Sequence, residues 1–145
     1  MIALETKQAS RRVEAIREVA SLTKVRPGWI QFMRKALKMK VKDLAHRAGL
    51  SSSTIVQNEK RESEGAVTID TLNKMAEAMD CELVYAFIPR KEIYELQKEA
   101  AIKKAKRLLS IASTHMELED QKVKVDLKDR IEALAEELIQ KGEVW

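Results

Sequence analysis

Ten lysines and arginines crowd residues 24–61 (Lys24, Arg26, Arg34, Lys35, Lys38, Lys40, Lys42, Arg47, Lys60 and Arg61), with only Asp43 and Glu59 against them. So concentrated a positive field suits a polyanion; a solvated basic face without a partner is the plain alternative. Inside this stretch, residues 41–61 read VKDLAHRAGLSSSTIVQNEKR, and Ala45, Gly49 and Ile55 fall four and six residues apart. Two short helices crossing at a fixed angle need a small residue where they touch, a turn residue that tolerates positive φ, and an apolar anchor on the second helix. Those three positions supply them, and glycine alone enters the left-handed region without penalty. Leu44, Ala48 and Leu50 fill the apolar places around the turn. Ser51 can cap the second helix by accepting from its first N–H groups. This is a helix-turn-helix pattern in register, lying within the basic stretch.

Other chemistry finds no constellation. His46 and His115 have no Cys or carboxylate at ligand spacing, so no metal site is expected. Cys81 is the single cysteine, which excludes an intrachain disulfide and fits a reducing compartment. No glycine-rich nucleotide loop and no Ser/His/Asp arrangement stands out, so the expectation is no enzyme and no cofactor. With no apolar run of membrane-spanning length and no signal-peptide pattern, a soluble cytoplasmic protein is expected.

Four glycines and two prolines in 145 residues leave few helix breaks, so the expected fold is mainly α. Residues 4–24 read as an amphipathic helix with Val13, Ile16, Val19 and Ala20 on one face. Pro27 opens the next helix, which carries Trp29, Ile30, Met33 and Leu37 at helical spacing. Short helices follow over about 41–48 and from just after Ser51 to about Arg61, and Thr68 caps another that carries Leu72, Met75, Ala76 and Met79. Residues 82–88 are largely apolar and partly β-branched or aromatic, and read as a short strand. A lone strand in a helical protein is an open edge. Pairing with its copy in a second subunit, through Leu83, Tyr85 and Phe87, would cover it and give a homodimer; burial as an extended segment within one monomer is the alternative.

A long helix over about 92–115 should turn Ile93, Leu96, Ala100, Leu108 and Ala112 inward. A last helix should start at Asp126 and present Leu127, Ile131, Leu134 and Leu138 as a seam for another helix, within this chain or on a partner. Charge divides along the chain: residues 1–116 hold 22 Lys/Arg against 14 Asp/Glu, residues 117–145 only 5 against 9. The expected organisation is an N-terminal helix (1–25), a DNA-binding domain with its dimerisation strand (26–89), and a C-terminal helical extension (90–145). Val144-Trp145 should dock somewhere, because an exposed Trp is costly.

Over roughly residues 28–80 the sequence resembles the Cro/repressor-like (XRE) helix-turn-helix family, the lambda repressor-like fold. Leu44-Ala45, Gly49-Leu50, Ser53-Thr54-Ile55 and Glu59 carry the likeness. Arg26-Pro27-Gly28-Trp29, Glu64-Gly65, Asp80 to Ala86 (DCELVYA) and Pro89-Arg90-Lys91 also look like the group called mobile mystery protein A, antitoxin-type regulators typically encoded beside a Fic-domain protein. The resemblance implies a repressor of its own operon that binds double-stranded DNA, with a Fic-domain toxin as a further partner. A protein-binding antitoxin with secondary DNA binding is the alternative emphasis. It also implies that Ser52 to about Lys60 enters the major groove, with Ser52, Ser53 and Gln57 at base edges. Lys38, Lys40, Lys42, Arg47, Thr54, Lys60 and Arg61 would then reach the DNA backbone, which sets affinity and register.

Two positions depart from the family pattern: Val41 stands where a phosphate-contacting Gln is usual, and Asn58 where a buried aliphatic is usual. A buried Asn needs partners, which predicts a second helix shortened or tilted at its end. The Ser/Thr-x-x-x-Glu-Gly/Asn pattern by which some Fic antitoxins place an inhibitory glutamate is absent, since Lys60 stands four before Glu64.

Overall fold

The computed structural model describes residues 2–112 and 121–145, and these are mainly α-helical. Seven α-helices occur among them: α1 (Leu4–Arg17), α2 (Trp29–Ala36), α3 (Val41–Ala48), α4 (Ser52–Ser63), α5 (Ile69–Ala78), α6 (Ile93–Ala112) and α7 (Gln121–Lys141). They fall into two compact units, one of residues 17–87 and one of residues 1–16 with 88–145.

In the 17–87 unit, α2 to α5 close around Ile30, Leu44, Ala45, Ile55, Met75 and Met79, with Met33, Val41, Ala48 and Leu72 packed against them. Each helix start has a sequence-local cause. The Asp43 carboxylate accepts from the Lys40 N–H at 2.7 Å at the start of α3. The Ser51 hydroxyl accepts from the Thr54 N–H at 3.2 Å for α4, and the Thr68 hydroxyl from the Thr71 N–H at 3.1 Å for α5. Such caps satisfy N–H groups that the first turn leaves without helical partners. The start of α2 is closed from a distance instead: Glu62 of α4 accepts from the Ile30 N–H at 2.8 Å. That carboxylate occupies the place where a Cβ on Gly28 would stand, so only glycine fits there without displacing it.

Three expectations are corrected in this unit. The helix over 4–24 ends at Arg17, and a single 3₁₀ turn at Ala20–Thr23 follows, leaving Val19 exposed. The turn is tied down by the Trp29 indole, which donates to the Thr23 carbonyl at 2.8 Å. The second helix of the motif is not shortened by Asn58, which is buried within an unbroken α4 of 12 residues. No fully buried side-chain nitrogen or oxygen among the described residues lacks a hydrogen-bond partner, so the amide is accommodated. Finally, residues 82–88 hold no strand: after the Cys81 N–H donates to the Ala76 carbonyl, the segment carries no regular structure. The cause is physical. Apolar and β-branched composition favours extended backbone, but a strand exists only against a hydrogen-bonded neighbour, and none stands beside it here.

In the other unit α6 packs on α7. Ala101 and Ala105 of α6 are fully buried against Ala135 and Leu138 of α7, with Ile131 and Leu134 alongside. The α7 seam is thus satisfied within the chain. Small alanines let the two helices approach closely, which is why they, and not Leu108 (40% exposed), line the contact. The side chain of Ala112, like His115, lies outside the described residues. α7 begins at Gln121, five residues before the expected Asp126 start, because nothing in residues 121–125 breaks a helix and Asp is tolerated inside one. Across the hairpin the Tyr94 hydroxyl donates to Glu136 at 3.2 Å; burial first, then the Glu136 charge and hydrogen bond, raises its pKa above the ordinary phenol value. Thr6 of α1 accepts from the Gln97 amide at 3.1 Å. Val144 docks into the α6–α7 core, whereas Trp145 stays 84% exposed, so only the first of the two terminal residues behaves as expected.

Candidate nucleic-acid interface

The motif is built where residues 41–61 place it. α3 ends at Gly49, which adopts φ 67° and ψ 31°, in the left-handed region. The Gly49 N–H donates to the His46 carbonyl at 3.3 Å and the Leu50 N–H to the Ala45 carbonyl at 2.9 Å, closing the helix end. The chain then turns into α4 at the Ser51 cap. Ala45 (5% exposed) and Ile55 (0%) meet in the core as the spacing demands. Space around Gly49 is open to a Cβ, so the glycine is required by backbone conformation alone. Gly49→Ala is therefore expected to lower unfolding free energy by about 1–2 kcal/mol without disturbing packing, checked by denaturant midpoint with an unchanged m-value.

With Ile55, Asn58 and the inner part of Glu59 turned to the core, the opposite face of α4 is set by helical periodicity. Ser53, Val56, Gln57 and Lys60 follow one another at i, i+3, i+4 and i+7 and are all exposed, with Ser52 and Arg61 flanking them. This face can present a hydroxyl, an apolar methyl pair, a bidentate amide and a cation to a groove. Val56, 54% exposed, is a candidate that the residue types alone did not single out. Its signal was the spacing: an aliphatic on the outer stripe, suited to a thymine methyl.

The hydroxyls of Ser51, Ser53 and Thr54 form one cluster at the start of α4. Ser51 Oγ lies 3.0 Å from Ser53 Oγ and 2.8 Å from Thr54 Oγ1. Thr54 is half-buried, which holds its hydroxyl at the cap. The cluster sits where the helix N-terminus favours negative charge. Lys38 and Lys40 are exposed in the α2–α3 turn, Lys38 with φ 60°. Lys42 and His46 share the outer face of α3, four residues apart and both exposed. Arg47 is differently engaged. Its guanidinium donates to the Ala78 carbonyl and, at 3.1 Å, to Asp80, so it closes the C-terminal end of α5.

A buried ion pair fixes α4 on the domain. Arg34 Nε and Nη2 of α2 donate to the two carboxylate oxygens of Glu59, at 2.6 and 3.3 Å, and Nη1 donates to the Met39 carbonyl at 3.0 Å. The two side chains are 9% and 11% exposed. Such a forked pair fixes orientation as well as position, so α2 and the α2–α3 turn are locked to the face-bearing helix. Charge alone places Arg34 among the surface cations. Only the apolar neighbours at Ile30 and Met33, which put α2's inner face beside it, carry a hint otherwise.

Among the described residues no group of three or more His, Cys, Asp or Glu stands together to hold a metal ion, and no helix is long and apolar enough to cross a membrane. Residues 30–84 match the family model described as a Cro/C1-type HTH DNA-binding domain. That span starts in α2 and ends just past Cys81, taking in the core, the motif and the Arg34–Glu59 pair. No curated protein and no solved structure matches the chain significantly.

Proposed function

We propose that this chain, a DNA-binding regulator through its helix-turn-helix domain, is a homodimeric repressor that reads a two-fold operator with the outer face of α4. The observation that carries the reading is that stripe of Ser53, Val56, Gln57 and Lys60, held outward on a helix whose inner face is locked by Ile55 and the Arg34–Glu59 pair. Ser52, Ser53 and Gln57 serve base edges, joined by Val56. Lys38, Lys40, Lys42, Thr54, Lys60 and Arg61 serve the backbone, and Arg47 keeps to the end of α5. Two copies paired through residues 82–88 present two such helices to half-sites one helical turn apart, or a multiple of it. The regulator works in the cytoplasm, on its own operon.

The experiment is fluorescence anisotropy of labelled DNA from just upstream of the gene against scrambled DNA, at two salt concentrations. Specific binding of the native sequence that survives moderate salt is the expected result. Weak, sequence-blind binding that vanishes with salt would reduce the basic face to a general electrostatic surface.

The resemblance of the motifs around residues 26–29 and 80–91 to mobile mystery protein A supports a finer reading, in which the repressor is also the antitoxin of a Fic-domain protein. One structural observation favours a protein-binding role: residues 1–16 and 88–145 form a compact unit of their own, and it exposes acidic side chains of α7, among them Asp129 and Glu132. Charge reversal at those two positions should weaken toxin binding and spare DNA binding. Truncation of α7 is the poorer test, because it removes Ala135 and Leu138 from the hairpin core.

A further inference from the structure

A cavity of about 290 Å³ opens on the unit of residues 1–16 and 88–145, lined by Ala100, Lys103, Lys104, Arg107, Val144 and Trp145. Its aromatic wall is held in place. Val144 docks into the α6–α7 core, and the Glu143 N–H donates to the Leu138 carbonyl at 2.9 Å. The Lys104 ammonium donates to the main-chain oxygens of Glu143 and Trp145. An anchored segment thus presents the exposed Trp145 indole. The cationic wall is set by helical periodicity. Lys103, Lys106 and Arg107 are all exposed and turn away from Ala101 and Ala105, which pack on α7. Among the described residues none of these three cations is in an ion pair. Glu99, the acidic residue one turn before Lys103, is taken by Lys91.

An open π-face beside cations suits a ligand that carries flat rings and anionic charge together. Stacking needs only the face of a base, and lysine and arginine hold the phosphates that join one nucleotide to the next. An acidic peptide would satisfy the cations and leave the indole in water. A bilayer would need a broad apolar face, and that of α6 is already packed on α7. Within a duplex both faces of a base are covered by its neighbours, so the strand must be single. We propose that this surface binds single-stranded nucleic acid, one base stacking on the Trp145 indole while adjoining phosphates lie on Lys103, Lys106 and Arg107. The cations span about 6 Å of helix axis and extend beyond the cavity, so they serve a strand better than a lone nucleotide. The surface belongs to the unit of residues 1–16 and 88–145, so it stands whether or not α4 reads an operator.

The test uses the full chain carrying Lys42→Glu and Lys60→Glu, which removes phosphate binding by the helix-turn-helix face. The probes are a labelled oligothymidine about ten nucleotides long and an abasic strand of equal length and charge. Oligothymidine should bind more tightly than the abasic strand by about 5- to 150-fold, the worth of one stacked base. It should also quench tryptophan emission, and the quenching should vanish in Trp145→Phe, where only Trp29 still emits. Trp145→Ala should lose that same factor on oligothymidine and nothing on the abasic strand. Lys103→Glu with Arg107→Glu changes two exposed side chains and should weaken both strands. At about 0.7 per phosphate, the slope of log affinity against log salt should flatten by about 1.4.

Equal affinity for the two strands, or oligothymidine binding that ignores Trp145→Ala, would overturn the proposal, since the base would then have no seat. So would charge reversal at Lys103 and Arg107 that leaves the affinity unchanged. Thymidine monophosphate that binds as tightly as the oligonucleotide would also overturn it, because the site would then hold a free nucleotide and not a strand. Phosphatidylserine vesicles that bind the chain and blue-shift Trp145 emission, with no preference for oligothymidine over the abasic strand, would make the surface a lipid contact instead.

Discussion

Arg34→Ala is expected to remove a large part of the stability of the 17–87 unit. Glu59 would then be left as a buried carboxylate with no cation beside it, and breaking such a pair costs about 3–5 kcal/mol. Against a domain stability of about 5–15 kcal/mol, the loss is severe. It should lower the melting temperature followed by Trp29 emission, in the Trp145→Phe background, by more than about 10 °C. Arg34→Lys should recover little, because an ammonium cannot hold both carboxylate oxygens and the Met39 carbonyl in one plane. Removing both charges together, as Arg34→Met with Glu59→Leu, should be far milder than either single loss, since no unpaired charge stays inside. A melting point for Arg34→Ala within two or three degrees of the parent would show that the pair is not what fastens α4.

The second large effect concerns affinity. Lys42→Glu with Lys60→Glu changes two exposed side chains, so folding should be untouched. Binding should fall for native and scrambled DNA alike. Each subunit then neutralises two fewer phosphates, and the proposed dimer four fewer. At about 0.9 per phosphate, the slope of log affinity against log salt should flatten by about 3.6. Equal slopes before and after the change would mean that the phosphates are held by other side chains.

What could be read from the sequence, and what could not, follows from the range of the forces involved. The turn at Gly49, the Ser51 and Thr68 caps and the burial of Ala45 and Ile55 depend on residues within a few positions of one another, and each was legible. The Arg34–Glu59 pair joins residues 25 apart, and a cation in a basic stretch carries no mark of burial until the helix packing is known. The strand expected over 82–88 fails for a related reason. Composition reports what a backbone tolerates, but a ladder needs a neighbour, and a single chain does not supply one. Asp126 is a good cap residue without being a helix start, because Asp also sits inside helices at modest cost. In the candidate face the types of Ser52, Ser53 and Gln57 stand out through resemblance, while Val56 is marked only by its spacing on the stripe opposite Ile55.

Whether the outer face of α4 reads base sequence is tested most directly by one comparison. The affinity of Gln57→Ala for the native site is measured beside its affinity for scrambled DNA, at one salt concentration. Loss of a bidentate base contact worth about 1–3 kcal/mol should weaken native-site binding by roughly 5- to 150-fold per half-site and leave scrambled DNA unaffected. Equal losses on both DNAs, or no loss on either, would contradict sequence reading by this face and move recognition away from the helix.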